Sequence, residues 1–175
     1  MLKKIGIILL LLLSVQFSFS QFVDDFSDGD FANNPVWSGD VIDFSVVGNE
    51  LNSQSASRGN YYLSTVSTLA ANAQWDFFFN IQFGTSGVNF VDVYLMSDVA
   101  DVTNPNDGYF VRLGGTPDEV SLYKVVGGTE TILIDGPNSS VNSSTNNPFD
   151  VRVTRDVLNS WTLFYDDGAA SSLVS

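Results

Sequence analysis

The sequence predicts an all-β fold, a sandwich or a barrel, from two observations. Residues 73–83 alternate strictly: the odd positions are all apolar, and the even positions are polar except for Phe78. A strand with one face in a core has this period of two. About ten short segments of extended type also occur between clusters of Gly, Asn, Asp, Pro and Ser, which is typical of sandwiches and barrels. No helical spacing competes with these patterns.

Nine further segments are predicted to be strands. The first three are short extended pieces, and the other six alternate between apolar and polar residues. The segments are 22–26, 51–54, 61–65, 88–96, 109–113, 120–126, 131–134, 149–155 and 161–165. Gly127 and Gly128 stand between two strands and predict a tight hairpin. The Ser- and Asn-rich stretch 138–148 is too polar to pack and predicts a mobile hairpin loop.

Residues 1–20 have the features of a signal peptide. Lys3 and Lys4 form the positive end, residues 5–15 form an apolar core, and the small residues Ser18 and Ser20 follow. The apolar stretch is short for a bilayer span, and no second such stretch follows, so no membrane insertion is expected after cleavage. The chain has no cysteine to carry a lipid anchor. We therefore predict a secreted or cell-surface protein whose domain occupies residues 21–175.

Composition excludes several classes of function. The formal net charge is −13, and loss of Lys3 and Lys4 with the leader makes it more negative. Phosphates are repelled by such a charge, so nucleic acid is not expected as a partner. The chain has no His, which removes the usual general base, the commonest metal ligand and every Ser-His or Cys-His nucleophile pair. Any catalysis would depend on carboxylates alone, and we predict that the chain is not an enzyme.

An acidic cluster near the predicted start of the domain is a candidate calcium site. Asp24 is followed closely by Asp25, Asp28 and Asp30, and calcium is bound by several oxygen ligands. The last three are the predicted metal ligands, although the spacing is not that of an EF-hand. The alternative is a simple turn, in which Asp and Gly are present for backbone reasons.

The second face of the predicted strands is a candidate glycan platform. Its members are aromatic or charged: Phe78, Phe90, Asp92, Tyr94, Phe110, Arg112, Arg152 and Phe164. Exposed rings stack on sugars, while Asp and Arg orient hydroxyl groups. We predict Phe78, Asp92, Tyr94 and Arg112 as ligand-binding residues for a polysaccharide or cell-surface glycan. The alternative is that loops half-cover this face and its charges form ordinary cross-strand pairs.

Several motifs carry a resemblance to a known group of domains. They are DDFSDGDF at 24–31, NNPVW at 33–37, YLST at 62–65, NDGYFVRLGG at 106–115, DEVSLY at 118–123 and VRVTRD at 151–156, with Trp161. Together they resemble the N-terminal concanavalin A-like (laminin-G-like) domain of secreted Bacteroidetes surface proteins, a group associated with lamin-tail modules and type IX secretion. The resemblance implies a two-sheet antiparallel jelly-roll sandwich with downstream domains in the same protein. Such jelly rolls end with one or two further strands, so we expect this one to be truncated at its C-terminus.

The resemblance also bears on function. Hydrolases of this fold carry Glu-x-Asp-x-x-Glu and its lyases Gln-x-His, and neither pattern occurs here. We therefore expect a non-catalytic extracellular recognition module that acts in glycan binding or adhesion within a larger surface protein. The alternatives are a structural spacer without a ligand and, less favoured, an accessory domain of a polysaccharide-degrading or other secreted enzyme.

Overall fold

The computed structural model describes residues 23–166 and the backbone of Ser171–Val174. The predicted signal peptide, residues 1–20, lies outside this range. The strands are β1 (Ser38–Gly39), β2 (Phe44–Val47), β3 (Glu50–Ser53), β4 (Leu63–Ser64), β5 (Ala73–Ile81), β6 (Phe90–Ser97), β7 (Gly108–Gly114), β8 (Glu119–Val126), β9 (Thr129–Ile134), β10 (Asn147–Arg155), β11 (Trp161–Asp166) and β12 (Ser171–Val174), with a 3-10 turn at Val41–Asp43.

Two four-stranded antiparallel sheets make up most of the fold. Sheet I has the strand order β12-β11-β10-β5, and sheet II has the order β6-β7-β8-β9. The chain crosses from sheet I to sheet II after β5 and returns after β9, so that β10 pairs with β5. Two small ladders, β1 with β4 and β2 with β3, precede them. The predicted all-β antiparallel sandwich is confirmed.

The core lies between the inner faces of the two sheets. In β5 the odd positions Trp75, Phe77 and Phe79 pack against it, and Phe78 is exposed, as the alternation predicts. Trp75 stacks on Trp161 with ring centroids 5.8 Å apart. The fully buried side chains of this core come from β7, β8, β10, β11 and one connection: Val111, Leu113, Val120, Leu122, Val141, Val153 and Leu163.

One predicted hairpin turn is confirmed, and one predicted strand is replaced by a turn. Gly127 and Gly128 form the two-residue turn between β8 and β9 with φ of +55° and +80°, which both central positions of such a turn require. The predicted strand at 22–26 is wrong over its described part. Phe26 has a φ of +52°, and its N–H is donated to the Asp24 carboxylate at 2.9 Å, so the chain turns there.

Two more segments differ from the prediction. β12 pairs with β11 beyond the last predicted strand.

The polar stretch 138–148 contains Val141, which is buried in the core. The Val141 N–H is donated to the carbonyl of Asp118 at 2.9 Å, and its carbonyl accepts from the Thr85 hydroxyl at 3.3 Å. This connection is therefore anchored at its centre.

Candidate functional site: the outer faces of the two sheets

The acidic cluster of the N-terminal segment is organised as a series of turns. The Asp25 and Asp28 carboxylates accept the N–H groups of Ser27 and Asp30, two residues further on. The Asp30 carboxylate accepts two N–H groups, from Ala32 at 2.8 Å and from Asn33 at 3.0 Å. These bonds lower the pKa of Asp30. The geometry matches the turn alternative.

The three predicted metal ligands are therefore engaged locally, and each carboxylate closes its own turn. Among the residues that the structure describes, no group of three or more His, Cys, Asp or Glu side chains is placed to hold a metal ion. Calcium binding by Asp25, Asp28 and Asp30 stays a prediction from the sequence.

The outer face of sheet II is centred on Arg112, one of the predicted ligand-binding residues. Arg112 lies directly across the β6–β7 ladder from Asp92 and donates to both of its carboxylate oxygens, Nε to Oδ1 and Nη2 to Oδ2, each at 2.8 Å. It also donates to both oxygens of Glu130 on β9, at 2.8 and 3.0 Å. One guanidinium therefore bridges two carboxylates from separate strands.

Aromatic rings enclose this guanidinium. The Arg112 Cζ lies 4.1 Å from the ring centroid of Phe90, 5.2 Å from that of Phe110 and 5.0 Å from that of Tyr123. Phe110 is completely buried, and it stacks on Tyr123 at 5.2 Å and contacts Tyr94 at 4.9 Å. We call Phe90, Asp92, Tyr94, Phe110, Arg112, Tyr123 and Glu130 the arginine cluster.

Electrostatics in the arginine cluster follow from burial and pairing. The side chains of Arg112 and Asp92 are only 15% and 20% exposed. Burial raises the pKa of Asp92, and the hydrogen bonds from Arg112 oppose that rise. Burial alone would lower the pKa of Arg112, but its bonds to the two carboxylates raise it above its ordinary value. The guanidinium is thus charged, fixed and occupied by the protein's own carboxylates.

The four predicted ligand-binding residues do not share one surface. Asp92, Tyr94 and Arg112 lie in the arginine cluster on sheet II, whereas Phe78 points outward from β5 in sheet I. Strand alternation shows whether a side chain points into the core or away from it. It does not show which sheet the strand belongs to, and the outer faces of sheets I and II lie on opposite sides of the sandwich. For Asp92 and Arg112, the structure has the cross-strand pair of the alternative interpretation.

The outer face of sheet I carries a groove instead. It is open to solvent and has a volume of about 600 Å³. Its floor is the backbone of three neighbouring strands, and its outward side chains come in pairs from β5, β10 and β11: Asp76, Phe78, Asp150, Arg152, Phe164 and Asp166. We call these six residues the sheet I groove.

Strand register orders the groove into two rows. Phe78, Asp150 and Asp166 are direct cross-strand partners in one row. Asp76, Arg152 and Phe164 form the other row, two residues away along each strand. The two aromatic residues therefore occupy opposite corners, and standard strand and residue spacings place their Cα atoms about 12 Å apart. That separation allows the two rings to contact different sugar units of one chain.

The charged side chains of the groove are exposed. Arg152 donates Nε to Asp76 at 2.6 Å, and these two side chains are 55% and 48% exposed. Asp150 is exposed, and no ion pair or side-chain hydrogen bond joins it to another described residue. Three carboxylates accompany one guanidinium, so the groove is acidic.

Sequence reasoning placed Phe78, Arg152 and Phe164 on an outer face but did not select Asp76, Asp150 or Asp166 as site residues. The alternation of polar and apolar residues within each strand could have identified these three carboxylates as outward-facing. In β10, Asp150 and Arg152 occupy the exposed positions between the buried Phe149, Val151 and Val153. Which strands lie beside β10 depends on long-range pairing, and that is not contained in the alternation.

No helix in the described part of the chain has the length and apolar character needed to cross a bilayer. Comparison of the chain with protein-family models, with curated proteins and with solved structures finds no match. The concanavalin A-like resemblance stays a prediction from the sequence motifs.

Proposed function

We propose that this chain is a non-catalytic extracellular recognition module that binds a glycan in the sheet I groove. The observation that carries the proposal is Phe78, which is 54% exposed and borders a groove beside charged side chains. Aromatic faces stack on the C–H faces of sugars, and carboxylate and guanidinium groups hydrogen-bond to hydroxyls. The groove combines both kinds of contact on one surface.

The rigidity of this surface supports the same proposal. Phe78, Arg152 and Phe164 stand on paired strands whose opposite face is the hydrophobic core. Because the backbone of these strands is already ordered, binding does not have to order a loop, so more of the contact energy contributes to affinity. Because the leader is predicted to be a signal peptide, we propose that the module acts outside the cell. Its proposed role is glycan binding or adhesion within a larger surface protein.

The geometry of the groove favours binding over hydrolysis. Asp150 and Asp166 are cross-strand partners on one face of sheet I, and neighbouring side chains of this kind are about 5 Å apart. Retaining glycosidases use carboxyl groups at a similar separation, but there the two flank the scissile bond. A sugar lying on sheet I would meet Asp150 and Asp166 from the same side.

Glycan-array screening followed by calorimetry tests the proposal, with Phe78→Ala as the diagnostic variant. Loss of one stacked ring weakens binding by about 1 kcal/mol, or roughly five-fold in Kd. Ile132→Ala is the matched control, because Ile132 is also an exposed strand residue, at 45%, but lies in sheet II. Ile132→Ala is expected to bind as the unmodified protein does.

Two results would overturn the proposal. Folded protein that binds no glycan across a broad panel would favour the structural spacer. A glycan that binds equally well to Phe78→Ala and to the unmodified protein would place the site outside the groove.

A further inference from the structure

The acidic character of the sheet I groove bears on which class of glycan it takes. Asp150 and Asp166 are directly opposite one another on β10 and β11. Like charges in this arrangement repel and destabilise a strand pair. A cation between them converts that repulsion into attraction.

The protein itself contains the comparison case. On sheet II, the Asp92 and Glu130 carboxylates are bridged by the guanidinium of Arg112. On sheet I, the nearest guanidinium belongs to the next row, where Arg152 is paired with Asp76. No Lys or Arg of the described residues forms an ion pair with Asp150, and positions 167–175 contain neither residue type. A bridging cation for Asp150 would come from a ligand.

We infer that the glycan of the sheet I groove is an amino sugar oligomer with free ammonium groups, one of which lies against Asp150. This inference rests on the proposed glycan-binding function. The aromatic residues fit it as well, because Phe78 is the cross-strand neighbour of Asp150 on the other side. An ammonium-bearing sugar ring can stack on Phe78 while its charge reaches the carboxylate.

The same charges work against anionic glycans. Uronate and sulfate groups would meet three carboxylates in the groove, and the whole chain has a formal net charge of −13. Like-charge contacts of this kind suppress binding and slow association. An N-acetylated sugar has the same ring without the charge, so it keeps the stacking contact and loses the ion pair.

Calorimetry on the full chain with three oligosaccharides of equal length tests the inference. The probes are a glucosamine oligomer, an N-acetylglucosamine oligomer and an oligogalacturonate, at a pH where the amino groups are protonated. We expect the glucosamine oligomer to bind about five-fold more tightly than the acetylated one, since an exposed ion pair contributes up to about 1 kcal/mol. The oligogalacturonate is expected to bind weakest.

Asp150→Asn identifies the carboxylate. It is expected to weaken binding of the glucosamine oligomer about five-fold more than it weakens binding of the acetylated oligomer, which removes the preference. Glu50→Gln is the control, because it removes a charge from an exposed position on β3, outside the groove. Equal effects of the two variants would show that overall charge is responsible and would overturn the inference.

The outcomes separate this inference from the proposed function. Equal binding of glucosamine and N-acetylglucosamine oligomers would overturn the inference and leave glycan binding in place. Absence of binding by these and by all other glycans would overturn both. An oligolysine of matched length that binds as tightly as the glucosamine oligomer would show that the groove recognises cations without a sugar, which also overturns the inference.

Discussion

Arg112 is expected to stabilise the fold rather than to bind a ligand, and Arg112→Met tests this. The substitution keeps an unbranched side chain but leaves the Asp92 carboxylate without its partner. Because Asp92 is 20% exposed, we assign about 3 kcal/mol to the stranded charge, the lower end of the range for broken buried pairs. Glu130 is 42% exposed and adds at most about 1 kcal/mol. The expected loss is about 3–4 kcal/mol, or roughly 10 °C in Tm.

Urea unfolding followed by tryptophan fluorescence measures this loss. Arg152→Met is the matched control, because its pair with Asp76 is about half exposed and is worth less than about 1 kcal/mol. The double variant Arg112→Met/Asp92→Asn is expected to be more stable than Arg112→Met alone, since it no longer contains the stranded charge. If Arg112→Met costs no more than Arg152→Met, the assignment of a structural role to the arginine cluster is incorrect.

Three further predictions concern stability. Burial and the neighbouring Asp135 raise the pKa of Glu119 above its ordinary value of 4.5. The folded protein therefore keeps a proton on Glu119 that the unfolded protein releases, and the free energy of unfolding falls as the pH rises above 4.5. Glu119→Gln should reduce this pH dependence in a series of urea-unfolding measurements, and an unchanged slope would contradict the raised pKa of Glu119. Leu163→Ala removes a completely buried side chain and should cost about 3 kcal/mol in chemical unfolding; a loss below about 1 kcal/mol would show that the site is not in the core. Asp30→Ala removes the acceptor of two backbone N–H bonds and should lower the Tm slightly, by the same amount with and without calcium. A decrease that appears only with calcium would favour the metal site.

Strand alternation was predictable because it is local. A strand that buries one face must place apolar residues at every second position, and β5 follows this rule from Ala73 to Phe79. The hairpin at Gly127 and Gly128 was predictable for a similar reason, since few residues other than glycine adopt positive φ at both turn positions. Neither signal depends on distant parts of the chain.

The composition of each outer face was not predictable in this way. Phe78 and Asp92 both occupy outward positions, yet one belongs to sheet I and the other to sheet II. Their separation depends on the pairing of β5 with β10, which are distant in sequence. Local competition explains another difference: Asp24 accepts the N–H of Phe26, and this bond stabilises a turn where alternation favoured a strand.

Tertiary context also explains Val141. Its neighbours in the Ser- and Asn-rich stretch are polar, and nothing in their local pattern indicates a core position. Val141 is buried where the connection from β9 to β10 crosses from sheet II to sheet I, and Asp118 and Thr85 form hydrogen bonds with its backbone there. The predicted loop has no regular structure from 138 to 146, but it is not the predicted hairpin, because it joins β9 in sheet II to β10 in sheet I.

Backbone amide chemical shifts, recorded while a glycan is titrated into the protein, identify the face of the sandwich that binds it. We expect the largest changes on the three strands of the sheet I groove, at and beside Phe78, Asp150 and Phe164. Changes centred instead on Asp92 and Arg112 would place the ligand on the arginine cluster and would contradict glycan binding by the sheet I groove.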